Sequence, residues 1–459
     1  MSLSLYVVLD RIRHRVIVLL VLSGAIAAGH RLALADDLAP KANERQLPYA
    51  MHSAMSDRPT IRVGRREADL VGTDHRVLQA AIDYVANLGG GIVEIGEGEY
   101  LMGDSLHLRS NVTVRGRKGK TILRKADASD SPLAIDGDFG EQQVTVSDPK
   151  GFEVGSGVTI WDDHGGGFHT TVARITGRDG HRLSIDADLM SDYMVSAHAR
   201  AATVFPVVSG TDIRGARVED LVIEGNKQAN PYLNGCRGAG IYLYRGFGVR
   251  VSGCLVRNFH GDGISFQQSN DVTVADCVVE DNTHLGLHPG SGSQRPTVRG
   301  CLARRNGTDG LFLCWRVRHG IFEGNRLEEN GEAGISIGHK DSDNLLRGNH
   351  VVRNGTCGVL FRDEAAGMSP HRNRLERNII EDNGRSPGTP GILVRGEPEA
   401  LVFESNTIRD ARPADQKTQT VGVLIEPRVG SVRLEGNAID AGLRIDDRRQ
   451  KSSAATTRE

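Results

Sequence analysis

The sequence predicts an all-β fold, a parallel β-helix solenoid made of stacked coils of about 24 residues each. Three observations predict it. A glycine followed by an apolar residue recurs at Gly240-Ile241, Gly263-Ile264, Gly286-Leu287, Gly310-Leu311, Gly334-Ile335 and Gly358-Val359, in steps of 23, 23, 24, 24 and 24 residues. Gly391-Ile392 and Gly422-Val423 continue the series with longer loops. Each unit holds short apolar runs of period two between turn residues, as in Ile264–Phe266, Val272–Val274 and Cys277–Glu280, and no run there has helical period. Two further columns share the register. Cys254, Cys277 and Cys301 give way to Asn325, Asn349, Asn378, Asn406 and Asn437, and beside them stand Asn258, Asn282, Asn306, Asn330, Asn354 and Asn383. Asn suits left-handed turns, and identical Asn side chains bond to one another when strands stack in register. A unit this short cannot close its own core, so neighbours must stack.

The elements follow in chain order. Arg11, Arg13 and Arg15 precede an apolar run from Val16 to Ala28, and Ala33-Leu34-Ala35 has the small-x-small form of a cleavage site. Residues 1–35 therefore read as a signal peptide, with export to the periplasm or beyond, and 36–58 as a polar linker. The apolar run is too short for a comfortable membrane span, so no membrane association is expected after cleavage. Residues 59–139 read as a capping helix over 73–88 and the first coils. Thr73 or Asp74 caps the helix, and Leu78, Ala81, Ile82 and Val85 form its apolar face. A helix at this place closes the open end of a solenoid. Residues 140–205 break the repeat and read as an inserted β-hairpin subdomain, with Trp161 to Gly167 as a hairpin tip or a loop over a cleft. Coils fill 206–445, and 446–459 is a polar, disordered tail.

A formal net charge of −2 over 459 residues argues against nucleic acid as a partner. Glycine is abundant, at 56 residues, while aromatics make up 5%, which suits a thin aliphatic core crossed by tight turns. Of the six cysteines, Cys254, Cys277 and Cys301 are expected to point into that core, and no spacing is of metal-binding type.

The stretch LQAAIDYVANLGGGIVEIGEGEYLMGDSLHLRSNVTVRGRKGKTIL (residues 78–123) resembles the start of the pectate-lyase-like superfamily, and the coils from about 210 to 445 resemble its repeats. The resemblance implies a right-handed β-helix. It is specific for fold and poor for reaction, since the superfamily includes lyases, hydrolases, epimerases and phage tail proteins.

The positions that follow the Gly-led strands carry the chemistry. They hold Arg245, Gln268, His288, Trp315 and Arg316, His339, Lys340 and Asp341, then Arg362, Asp363 and Glu364, and finally Arg395. Cations one coil apart, about 4.8 Å, can track an extended anionic chain such as a uronic-acid polysaccharide. The bland reading of each single residue is a solvated charged face. GISIGHKDSDNLLR (334–347) resembles the strand-plus-lysine segment of β-helix alginate and chondroitin lyases. That resemblance implies Lys340 as base and Arg362 as its partner, with His339 or His288 moving a second proton. Calcium is the cofactor such enzymes admit, but the acidic ligands expected just upstream are replaced by Ile335 and Ser336. The expected activity is lyase-type proton abstraction α to a uronate carboxylate. The alternatives are C5-epimerisation by the same first step, hydrolysis by Asp262 and Asp309, which resemble the Asp-bearing turns of β-helix polygalacturonases, and a non-catalytic polysaccharide-binding solenoid.

Overall fold

The computed structural model describes residues 57–449 apart from Gly166. The leader, most of the linker and the last ten residues lie outside the described residues. No described helix is long and apolar enough to cross a membrane.

Each coil contributes one strand to each of three long parallel sheets of 13, 11 and 11 strands. The coil quoted above runs Asp262–Gln267, Thr273–Ala275 and Val278–Glu280. In-register pairing places the repeat positions directly above one another, Ile264 on Leu287, Leu311 on Ile335 and Ile335 on Val359. These side chains point inward and are buried, with Val274, Val298, Phe322 and Leu346 from the second sheet and Val256, Val279, Ala303 and Leu327 from the third. The strand Leu443–Asp447 carries the solenoid two residues past the expected boundary at 445.

The repeat glycine and the asparagine column explain each other. A β-carbon on Gly263 would lie 2.8 Å from Asn282 Nδ2, and one on Gly310 would lie 2.6 Å from Asn330 Nδ2. The glycine is there because the buried amide of its own coil presses on it. Within the ladder, Asn330 Nδ2 donates to Ala303 O at 3.1 Å and to Asn354 Oδ1 at 2.9 Å, and its Oδ1 accepts from Asn306 Nδ2 at 3.0 Å. The chain runs from Asn282 to Asn383 and ends on Gln419. A parallel ladder links Asn325, Asn349, Asn378, Asn406 and Asn437. Asn258 is not part of the column: it sits at φ 54° and bonds Glu224, while Phe259 takes the slot below Asn282. A shorter ladder joins Asn344 to Asn373. Asn330→Ala strands two buried donors, Asn306 N and Nδ2, and removes the side-chain donor to Ala303 O, so it is expected to cost about 3 kcal/mol, read as a lower denaturant midpoint at unchanged slope.

The capping helix, α1, spans His75–Asn87, with Asp74 accepting from the Arg76 N–H at 3.0 Å. Its buried face is Leu78, Ala81, Ile82 and Val85. Gln79 also closes the edge strand Leu106–His107, since its amide donates to His107 O at 3.1 Å and accepts from His107 N at 2.8 Å. An edge that would otherwise offer free backbone groups is thereby covered.

A separate six-stranded antiparallel sheet starts at Asp130–Pro132, before the expected boundary at 140, and ends at Arg200–Ala202. It has its own core, including Phe152, Ile160, Ile175, Leu183 and Tyr193. Its 162–170 loop packs against the segment 231–238, where a β-carbon on Gly167 would lie 2.1 Å from Asn234 Oδ1.

Candidate functional site

The sheet that carries the Gly-led strands turns its inward residues to the core and leaves two outward columns. The first runs His107, Ser209, Tyr242, Ser265, His288, Phe312 and Ser336. The second runs Thr211, Tyr244, Gln267, Gly290 and Cys314. Strand alternation puts every member on one face.

One group of residues centres on Asp262, at the start of its strand and fully buried. Its Oδ1 lies 2.7 Å from His284 Nδ1 and accepts from Leu285 N at 3.2 Å, and its Oδ2 lies 2.7 Å from His288 Nδ1. Burial alone would raise the Asp262 pKa. The two imidazoles outweigh it and hold the carboxyl down at about 2. Burial lowers the pKa of His284, yet the Asp262 carboxylate leaves it above its ordinary value. With Nδ1 directed at the carboxylate, each imidazole keeps Nε2 for other chemistry. The His284 side chain is 37% exposed, whereas His288 is buried and its Nε2 has no partner. Tyr232 stands edge-on to His284 and His260, with ring centroids 6.0 and 5.7 Å apart. Burial, then the Asp262 charge, raises the Tyr232 pKa, so its phenol stays protonated.

The second group centres on Arg362. Its guanidinium donates to Ser336 Oγ at 2.9 Å and to Leu313 O at 2.7 Å, and lies 3.4 Å from Asp341 Oδ2 and 3.3 Å from His339 Nδ1. His339 Nε2 is 3.0 Å from Glu364 Oε1, and its ring stacks on Trp315 at 5.0 Å. Burial and the adjacent Arg362 lower the His339 pKa. Facing a guanidinium that can only donate, Nδ1 is the accepting nitrogen. Phe312 joins the two groups, with the Arg362 guanidinium 4.2 Å above its ring and the His288 ring 5.5 Å away, edge-on.

The sequence-derived residues divide accordingly. His339, Arg362, Trp315, Glu364 and Asp341 come together, and His288 joins them through Phe312. Asp341 is fully buried and accepts from Val317 N at 2.9 Å and Gly338 N at 3.1 Å, so it anchors Arg362 from beneath and meets no solvent. Lys340 follows His339 in a left-handed turn, with φ 44° and 67°, and both are partly buried. The Lys340 ammonium bonds no described residue. Arg316 and Gln268 are exposed turn residues with positive φ. Arg245 pairs with Asp212, while Arg395 and Asp363 belong to an exposed ion network with Glu426 and Arg428. His284, Tyr232, Phe312 and Ser336 were missed by the sequence reading.

Among the described residues, no group of three or more His, Cys, Asp or Glu side chains is placed to hold a metal ion. The donors here do not suit calcium either, since Asp262 faces two imidazoles and Asp341 faces backbone N–H groups.

Two buried carboxyls set a pH dependence. Burial pushes Asp309 and Asp341 up to about 7, against the partial relief each gains from backbone N–H groups and Arg362. A carboxyl raised in the fold binds its proton more tightly there than in the unfolded chain. Its contribution is therefore full below about pH 4 and declines as pH rises toward 7. Stability is expected to fall across pH 5–7, and Asp341→Asn and Asp309→Asn are each expected to flatten that slope in denaturant titrations.

The right-handed β-helix region family model matches residues 208–373 and 314–439, together just over half of the chain. Among solved structures, the A-module of the Azotobacter vinelandii mannuronan C-5 epimerase AlgE6 matches with a TM-score of 0.52 at 16% identity, over 82% of this chain and 94% of the module. The AlgE4 A-module of the same organism has TM-score 0.52 and 16% identity over 83% and 95%. Polygalacturonase from Erwinia carotovora has TM-score 0.52 and 11% identity over 86% and 97%. At these identities the likeness concerns the fold. A search of curated proteins finds no match. The solenoid, its register and the family match agree, and the chain belongs to the right-handed β-helix family.

Proposed function

We propose that this chain is an exported enzyme of acidic polysaccharides, and that it removes the proton α to a uronate carboxylate. The observation that carries the reading is Asp262 orienting both His284 and His288, with the Tyr232 phenol edge-on to His284, while Phe312 links His288 to the fixed Arg362 guanidinium. Arg362 neutralises the substrate carboxylate and the enediolate that forms from it. His284 Nε2 takes the α proton, Asp262 holds the ring and stabilises its charged form, and Tyr232 donates a proton. If the β carbon–oxygen bond breaks, the electron pair forms a double bond and the phenol proton goes to the leaving oxygen, which is elimination. If instead the phenol proton is delivered to the same carbon from the face opposite His284, the product is the C5 epimer, with the original proton left on the imidazole and the phenol reprotonated from solvent. Export rests on the leader-like features of residues 1–35.

The A-modules are those of mannuronan C-5 epimerases and the third similar structure is a polygalacturonase, which supports the substrate class. A hydrolase reading has one favouring observation: Asp262 is ionised while Asp309, two coils or about 10 Å away, is raised to about 7. Against it, both Asp262 oxygens are already engaged by imidazoles. The test is incubation of the purified protein with alginate, polygalacturonate and glucuronate polymers. New ultraviolet absorbance or a changed C5 configuration supports the proposal. New reducing ends without either would replace it with hydrolysis.

A further inference from the structure

The outward columns do not stop at His288. They continue past Ser265 and Tyr242 to Ser209 and His107, about four coils or 19 Å away. There the inserted subdomain leans over the sheet and closes a pocket of about 220 Å³, room for one sugar ring. Tyr242, Tyr244, Ser209 and Thr211 form its floor, and Thr170 and Arg174 of the subdomain line the opposite side. Asp104 bonds His107 at 2.9 Å and Asp186 bonds Arg174 at 3.0 Å, while Asp188 accepts from the neutral Gln142 amide at 2.8 Å.

Arg237 is the cation without a carboxylate partner. It lines the pocket, and its Nη2 donates only to a carbonyl, Phe168 O, at 3.0 Å. It pairs with no carboxylate of the described residues, and its Nε is buried without a partner. Arg237 stands on the segment 231–238, which crosses the sheet face between the pocket and His288. Gly235 O of that segment accepts from Ser265 Oγ at 2.6 Å, and Tyr242 Oη donates to Cys236 O at 2.7 Å. Ser265, Gln267 and His288 are buried beneath the segment, so an extended chain running from the pocket toward Arg362 would lie over it, alongside Arg237. A guanidinium with an orphaned donor, beside two tyrosine rings in a polar pocket, is suited to a carboxylate-bearing pyranose.

We infer that the pocket beneath the inserted subdomain is a remote subsite, in which Arg237 binds the carboxylate of a sugar unit several residues from the reacting one. This rests on the proposed function and adds that the enzyme senses chain length. The pyranose repeat is close to the strand spacing, so a trimer cannot reach both Arg362 and the pocket, whereas an octamer can.

The experiment compares trimers and octamers of whichever uronate the wild-type protein converts, with wild type, Arg237→Gln and Arg237→Lys. Wild type is expected to prefer the octamer in kcat/KM. Arg237→Gln should reduce that preference roughly tenfold or more, through KM, and Arg237→Lys should recover part of it. Calorimetric titration of the octamer into each variant, with circular dichroism to check folding, reads the same loss without turnover. A preference unchanged in a folded Arg237→Gln protein overturns the subsite and leaves the proposed function standing. A wild-type protein that neither binds nor converts any uronate chain overturns both.

Discussion

Arg362→Ala is expected to abolish turnover of a uronate polymer, by roughly 10³-fold in kcat, and to destabilise the fold by about 3 kcal/mol. The two effects have separate causes. Activity falls because the positive charge that would meet the substrate carboxylate is gone. Stability falls because the side chain ties its own coil to groups from the two preceding ones: Leu313 O from one, and Ser336 Oγ, His339 Nδ1 and the fully buried Asp341 from the other. Without the guanidinium, Asp341 must stay buried with no charge partner. Asp341→Asn in the Arg362→Ala background should restore part of the stability and none of the activity, and the double-mutant cycle should give a coupling of about 1–3 kcal/mol. Arg362→Lys keeps the charge and loses the planar fork, so it cannot make the Ser336 and Leu313 bonds together. It should sit between wild type and alanine in both measurements.

Asp262→Asn is expected to lower kcat by about 10³- to 10⁴-fold while the solenoid stays folded. The substitution is nearly isosteric, so packing beneath Gly235 survives, where a β-carbon would lie 1.6 Å from Asp262 Oδ2. The hydrogen bonds do not survive. An amide offers one acceptor and one donor group where the carboxylate accepts from both His284 and His288. One ring must then present a lone pair at Nδ1 and carry its proton on Nε2, which removes the base if that ring is His284. The pH–rate profile provides a second readout. Asp262 is what raises the His284 pKa against burial, so the acidic limb of residual activity should move to lower pH in the variant. A purely structural role for Asp262 would lower activity at every pH by the same factor.

The solenoid could be read from the chain because its causes repeat. Gly263, Gly286 and Gly310 are forced by the amides stacked against them, and those amides recur because each bonds the next. Period alone therefore exposes both columns. The adjacency of Arg362 and His339, though not any role for them, was legible for the same reason, since adjacent coils share a register. The remainder of the site lacks that property. His284 lies two residues before its repeat glycine, where its neighbours in the column are Thr308 and Glu332, so no repeated residue type marks it. Phe312 and Ser336 look like ordinary strand residues, and only outward orientation gives them a role. Tyr232 and Arg237 sit in a segment between coils with no repeat signal. Lys340 illustrates the limit most clearly. It is next to His339 in sequence, but both residues take left-handed dihedral angles, which are invisible in spacing, and its ammonium bonds none of the described residues. Asp341 could be placed in the column, but not recognised as an anchor buried behind it.

The most direct measurement of the central claim is solvent isotope exchange. The protein is incubated with a uronate polymer in D₂O and the sugar is examined by NMR at the carbon α to the carboxylate. The account predicts loss of that proton, either as deuterium in epimerised units or as a double bond at new chain ends, and loss of both signals in His284→Ala and Arg362→Ala. Chain cleavage with every α proton retained would contradict it.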